Sequence, residues 1–427
     1  LRPDGTADTL AVAIDSARID VNPPAEWRQI AREAWRQMRD TFYDPNLHGR
    51  DWVALERETE AYLPGITRRQ DLNTLLRRML LQVSVSHLQV GGGDDGDAPR
   101  APSRISGDLA VDLEPANGKL RIAKIYRSGP FARASKAAMA ALALPGLNVH
   151  EGDYLLAIEG KSLAAGDDVY RLLVGTAGKP TRITVSSRPD TSGARTLTVV
   201  PTAGSNTIRR YAWAEANRKR VEDLSGGRLG YVYVPDYGDG IDDFLAGFLG
   251  YAGRVQGLIL DQRYNNGGIT PDALIAMLRA EPWYAYRYRY GDDVVVPANT
   301  LEGPKVLIVN ERNGSAAETG AMMAKLTKAA ILVGRATYGA GIGAALDQPD
   351  LIDGGRIAIP NRASYDPAGT WGIENIGVAP DVTAELDPES WRAGKDPQLE
   401  AAVRAGLAAL KTEKKRPWKR PPYPVHP

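Results

Sequence analysis

The sequence predicts a multi-domain α/β protein: a small helical domain, a β-module, and an α/β domain with a mostly parallel sheet. Three observations predict it. Near the start, Trp27, Ile30, Ala31, Ala34, Trp35, Met38 and Phe42 recur at helical spacing and make an amphipathic stripe. Between about residues 103 and 202 the texture changes to short alternating strands with turn residues between them. After Gly226-Gly227, short apolar runs alternate with helical ones, the pattern of strand–helix–strand units. A length of 427 residues admits two to four domains with ample material for a core.

In chain order, residues 1–24 are an extension ending in Asn22-Pro23-Pro24, and residues 25–102 are the helical domain. It carries helices over Ala25–Phe42, Asp51–Tyr62 and Thr67–Leu81, then the alternating run Val83 to Val90, which suits a strand, and a loop Gly91 to Gly96. The β-module spans 103–203. Leu109–Leu113 and Leu120–Ile125 alternate across Ala116-Asn117-Gly118, a hairpin signal. Ser128-Gly129-Pro130, the run Gly152–Gly160, a helical stretch Asp168–Val174, and strands Thr181–Val185 and Arg195–Val200 complete it. Residues 204–226 read as a polar connector with a charged helical piece from Ala212 to Leu224. The α/β domain, 227–412, places strands at Leu229–Val234, Gly257–Asp261, Val306–Val309 and Ala330–Gly334. Helices fall at Ile241–Ala252, Pro271–Glu281, after Ser315, and at Asp396–Lys411. A basic, Pro-rich tail, 413–427, closes the chain.

Composition narrows the chemistry. With 53 Lys and Arg against 52 Asp and Glu, nothing electrostatic points to nucleic acid. The chain has no cysteine, which removes disulfides, thiolate catalysis and thiolate-bound zinc. Four histidines, His48, His87, His150 and His426, leave little for a histidine metal site, so no metal and no cofactor is expected. No run of about eighteen apolar residues suggests a membrane span.

Four features carry reactive potential. Ser315 follows the apolar run Val306–Val309 and opens a helical stretch, where unpaired N–H groups and the positive end of the dipole favour a developing oxyanion. An N-cap serine would look the same. Gly267 and Gly268 form a turn straight after the strand Gly257–Asp261, and parallel strands bring such turns together at one edge of the sheet. A backbone N–H of Gly267 or Gly268, paired with that of Ala316, would make an oxyanion hole; a tight turn alone also explains the glycines. His87, preceded by Ser86, closes the helical domain, and Glu374 lies in the turn-rich segment Trp371–Asp381. Separately, a structural histidine and a surface carboxylate account for these two.

Together these blocks resemble a known family. The order of the β-module, above all Gly152–Gly160, resembles a PDZ domain, which takes an extended chain by adding a strand to its sheet. From about residue 25 to 410 the chain resembles the catalytic half of the tricorn-type serine peptidases, a family that also contains the C-terminal processing peptidases. The match rests on Ser86-His87, the PDZ-like module, Leu258–Gly268, Asn310–Glu318, Gly334–Gly339, Leu351–Gly354 and Gly372–Asp381.

The resemblance implies that Ser315 is the nucleophile and His87 the general base. Glu374 would bond Ser86, which orients His87, in a Ser-His-Ser-Glu tetrad. It also implies peptides or unfolded segments as substrates, a homo-oligomer, hexameric in the tricorn type, and a cytoplasmic location. Full-length members carry β-propeller domains ahead of the catalytic half. Two departures matter. Processing peptidases place a lysine base where this chain has Ala340, which favours the histidine arrangement. The tricorn pattern has an acidic residue directly after the nucleophile, where this chain has Ala316. The alternative is a peptide- or ligand-binding protein without catalysis, since relatives use the same sheet for binding alone.

Overall fold

Asn22 accepts a hydrogen bond from the Ala25 N–H at 3.4 Å and starts the helix Pro23–Thr41, whose buried stripe is Ile30, Ala31, Ala34 and Met38. In the computed structural model, residues 20–94, 105–127, 140–269, 271–298, 300–344, 348–413 and 418–426 are described. Most of the N-terminal extension, the turn Ser128-Gly129-Pro130, the end of the glycine loop at Asp95-Gly96 and the start of the basic tail lie outside the described residues. The chain divides into two compact units, Leu1–Ala98 with Ile342–Tyr365, and Pro99–Gly341 with Asp366–Pro427.

In the first unit, helices Pro23–Thr41, Trp52–Tyr62 and Arg69–Leu80 pack through Met38, Trp52, Leu72, Leu76 and Leu80. Ile342, Leu351, Ile357 and Ile359 complete that core from far along the chain. A reading of the α/β region as one continuous stretch does not anticipate this. Arg69 and Asp353, whose side chains are both buried, form an ion pair, and Asn73 accepts a further guanidinium hydrogen bond. Burial works against the Asp353 charge. The Arg69 guanidinium and the Gly355 and Asp94 N–H groups outweigh it and hold the carboxyl below its ordinary value.

The predicted strand Val83–Val90 is largely absent. Ser84 (φ 55°) and His87 (φ 58°) adopt left-handed conformations that no strand accommodates. Only Gln89–Gly91 is extended, paired antiparallel with Arg356–Ala358. The apparent alternation arises because Val83, Val85 and Val90 are buried in the helical core.

In the second unit, strands Leu229–Tyr233, Gly257–Asp261, Lys305–Val309, Ile331–Gly334 and Val382–Thr383 make a five-stranded sheet in which every pairing is parallel. All but the edge strand Val382–Thr383 are buried on both faces. Leu258, Leu260, Leu307 and Val309 meet Phe244, Phe248 and Ala317 on one side. Ile259, Val306 and Ile308 meet Val221, Leu399 and Val403 on the other. Two-sided burial is why these runs are continuously apolar.

The PDZ-like module is an antiparallel sheet of Val111–Ala116, Lys119–Ile125, Tyr154–Ile158, Thr181–Ser186 and Arg195–Val199, with Lys161–Ser162 beside the third. Asn117 (φ 50°) and Gly118 (φ 73°) make the turn that the hairpin signal predicts. The expected connector is mostly one long helix, Asn206–Ser225. Its start joins the module, with Arg209 donating to Asp112 Oδ1 at 2.6 Å and to the Val111 carbonyl at 2.9 Å. Further along, Tyr211, Ala214 and Val221 pack on the parallel sheet. A helix buried on different sides along its length shows no single apolar stripe, so its sequence reads as polar linker. Among the described residues no helix is long and apolar enough to cross a membrane.

Candidate active site

Strand Lys305–Val309 runs parallel to Gly257–Asp261, with Ile308 opposite Asp261. The loops that follow the two strands therefore leave the same edge of the sheet. Buried side-chain amides stitch them together. Asn313 Nδ2 donates to the Gln262 carbonyl and, at 3.2 Å, to that of Asn265, while its Oδ1 accepts the Asn310 N–H at 2.8 Å. Gln262 Nε2 donates to the Ala317 carbonyl at 3.0 Å, and Asn265 Nδ2 to Val234 O at 3.1 Å. Tyr237 donates to Gln262 Oε1 at 2.9 Å. Burial raises the Tyr237 pKa well above its ordinary value and keeps it a donor.

Beneath this edge, Arg263 is fully buried and pairs with Asp261 and Asp396, the residue that caps the helix Pro397–Thr412. Burial opposes its charge, but the two carboxylates prevail and its pKa is raised. These groups tie the loops to one another, to the sheet and to the last helix.

On that scaffold Ser315 adopts φ 56°, ψ −126°, directly ahead of the helix Ala316–Leu326. It occupies the N-cap position, yet its side chain makes no capping hydrogen bond, so the hydroxyl is not consumed as an N-cap serine's would be. Its N–H donates to the Ala340 carbonyl at 3.1 Å. A positive φ in a non-glycine residue is costly and persists only where the surroundings enforce it.

Gly267 (φ 106°) lies against this turn: a Cβ added to it would stand 2.6 Å from Ser315 Cβ and 2.8 Å from the Ala316 nitrogen. The Gly267 N–H is already taken by Asn265 Oδ1 at 2.7 Å, so of the expected glycine donors it is not the available one. Among the described residues, neither the Gly268 nor the Ala316 N–H donates to a protein acceptor. Sequence alone could not choose between the two glycines, because the choice depends on where Asn265 turns.

Glu374, half-buried, sits in a loop that packs along residues 337–341. Asn375 donates to the Gly339 carbonyl at 2.8 Å, and a side chain at Gly341 would collide with Ile373. Ala340, where an amine would serve a lysine-dependent relative, offers Ser315 a carbonyl instead. In the first unit, Ser86 Oγ lies 3.0 Å from His87 Nδ1. In the tautomer that donates from Nδ1, Nε2 carries the basic lone pair. Ser315, Gly267, Gly268, Ala316 and Glu374 all belong to the second unit.

Sequence reasoning passed over Asn310, Asn313, Asn265, Gln262 and Glu318. Their one signal is that each is polar beside an apolar run and ends up buried, since a buried polar group needs partners.

The PDZ-like module carries a groove of about 550 Å³ between its edge strand Val111–Ala116 and the short helix Val169–Leu172. Leu109, Leu113, Leu120, Val169 and Leu173 give it an apolar lining.

Residues 228–384 match the profile of peptidase family S41, residues 23–81 that of the tricorn protease C1 domain, and residues 107–203 that of the tricorn protease PDZ domain. Residues 228–384 therefore carry the features of a peptidase family S41 domain, and the chain is similar to the tricorn proteases along most of its length. Tricorn protease homolog 1 of Streptomyces coelicolor is 34% identical over 98% of the chain, which spans 38% of that relative. Tricorn protease of Thermoplasma volcanium is 30% identical over 94% of the chain, again 38% of the relative. A crystal structure of the tricorn protease superposes with a TM-score of 0.82 at 28% identity, covering 93% of this chain and 38% of that one. The chain thus spans well under half the length of these relatives. A C-terminal processing peptidase of Tetradesmus obliquus is more distant, at 25% identity over 84% of the chain.

Proposed function

We propose that this protein is a serine endopeptidase of the S41 family that hydrolyses peptides or unfolded polypeptide segments through an acyl-enzyme. One observation carries the reading: the Ser315 hydroxyl is held uncapped on a strained turn against Gly267, directly ahead of an Ala316 N–H that donates to no protein acceptor among the described residues. A serine hydroxyl is a weak nucleophile until a base removes its proton. His87 takes that proton as Ser315 Oγ bonds to the scissile carbonyl carbon, and the Gly268 and Ala316 amides hold the resulting oxyanion. His87 then gives the proton to the leaving amine as the C–N bond breaks. Water, activated by the same imidazole, releases the acid and restores the serine. Ser86, bonded to His87 Nδ1, orients the ring, and Glu374 completes the tetrad by accepting from Ser86. No metal or cofactor takes part in this scheme.

The PDZ-like groove fits the same reading, since an extended chain can pair with its edge strand and seat apolar side chains between strand and helix. The reading includes a homo-oligomer, of hexameric tricorn type, in the cytoplasm; light scattering of the purified protein tests the assembly. For the chemistry, the test is reaction with a serine-directed phosphonate, located by mass spectrometry, alongside cleavage of a fluorogenic peptide. An adduct on Ser315 with loss of cleavage supports the assignment. A folded protein that leaves Ser315 unmodified is a binding protein instead.

A further inference from the structure

We infer that Glu318 is a positioning residue for the nucleophile, acting through the segment Thr337–Ala340; the inference rests on the reading of Ser315 as nucleophile. Glu318 lies in the first turn of the helix that Ser315 precedes, and it is completely buried. Its Oε1 accepts the Thr337 hydroxyl and the Gly339 N–H, each at 2.6 Å, and its Oε2 accepts the Ala340 N–H at 2.5 Å. Among the described residues no Lys or Arg forms a salt bridge with it. A buried carboxylate is costly, and here two backbone amides, a hydroxyl and the positive end of a helix stabilise it.

The geometry explains why a carboxylate stands there. The peptide unit whose N–H reaches Glu318 belongs to Ala340, and the carbonyl of that same residue accepts the Ser315 N–H at 3.1 Å. Glu318 thus grips one side of Ala340 while Ser315 is held from the other. The segment is also tied to both flanking loops. Tyr338 donates to the Asn313 carbonyl at 2.9 Å, Thr337 Oγ1 accepts from Val378 at 2.7 Å, and Gly339 O accepts from Asn375 at 2.8 Å. Released from Ala340, Ser315 loses the hydrogen bond that offsets its positive φ. It can then relax to ordinary N-cap geometry, with the hydroxyl bonded to its own helix and the Ala316 amide turned away. Glu318 touches no reacting atom, and its effect is on where Ser315 points.

The discriminating variant is Glu318→Gln in the full chain. Glutamine keeps the volume and can still accept from Thr337 and Gly339 through Oε1. Its Nε2 would then face the Ala340 N–H, donor against donor. The expected result is a fall in kcat of about 10²-fold with KM nearly unchanged and slower phosphonate labelling of Ser315, because small misplacements of a reacting group are this expensive. Thr337→Val, a milder change, is expected to lower kcat by several-fold at constant KM, with Thr337→Ser restoring it. Wild-type kcat in folded Glu318→Gln, or in Thr337→Val, overturns the inference. So does a loss confined to KM. If the unmutated protein neither cleaves peptide nor labels at Ser315, the nucleophile reading itself fails, an outcome distinct from a reactive parent with an equally reactive variant.

Discussion

Gly267 stands so close to Ser315 that no side chain fits between them: an added Cβ would lie 2.6 Å from Ser315 Cβ and 2.9 Å from the Gly314 carbonyl oxygen. Its φ of 106° also disfavours any L side chain. Gly267→Ala must therefore displace the Ser315 turn and the Ala316 amide with it. The expected outcome is a loss of about 10²-fold or more in kcat, with the parallel sheet retained, measured by peptide turnover and circular dichroism.

Ser315→Ala removes the hydroxyl and nothing else. Since that side chain makes no capping bond, stability is expected to stay within about 0.5 kcal/mol of the parent while turnover and phosphonate labelling vanish. Turnover at the parental rate would sink the assignment.

For the proposed base, His87→Ala is expected to cost on the order of 10³-fold or more in kcat. Ser86→Ala leaves the imidazole in place but deletes its 3.0 Å partner at Nδ1, so a smaller loss is expected. Steady-state kinetics on the two variants checks the order; equal or reversed losses contradict the orienting role of Ser86.

Asn313 is fully buried and accepts one backbone bond while donating two. Asn313→Ala strands those backbone partners without water, which destabilises by roughly 2–3 kcal/mol. Urea denaturation reads this, and activity should fall with it because the same amide joins the Gln262 and Ser315 loops.

The Arg69–Asp353 pair supplies a pH test. The Asp353 carboxyl titrates below its ordinary value in the folded protein. Its stabilisation is therefore complete above about pH 4, the ordinary aspartate range, and is lost as pH falls through the lowered folded value. Asp353→Asn leaves a buried guanidinium unpaired and is expected to cost about 3–5 kcal/mol at neutral pH. It should also flatten the acid limb of the stability curve, measured as Tm between pH 2 and pH 7, a window set by those ordinary values.

Much of this architecture is legible along the chain, for a local reason. The runs Gly257–Asp261 and Val306–Val309 are apolar throughout because both faces of the sheet are covered, and the observed strands coincide with them to within a residue. Asn117-Gly118 announces its hairpin because both residues tolerate positive φ. Where residues serve different neighbours at successive positions, the pattern misleads. Val83–Val90 alternates without forming the strand, and Asn206–Ser225 reads as linker because its burial changes sides along the helix.

What the sequence determined by itself was most of the elements and the resemblance to the tricorn proteases, from which Ser315, His87, Ser86 and Glu374 follow as candidates, because side-chain period and motif are carried by neighbouring residues. Only the tertiary structure decided that Gly267 spends its N–H on Asn265, that Glu318 grips Ala340, and that Ile342–Tyr365 joins the helical core. Each of these depends on hydrogen bonds or packing across a fold in the chain. Such partners are chosen by the closing of the fold, and no local pattern encodes them.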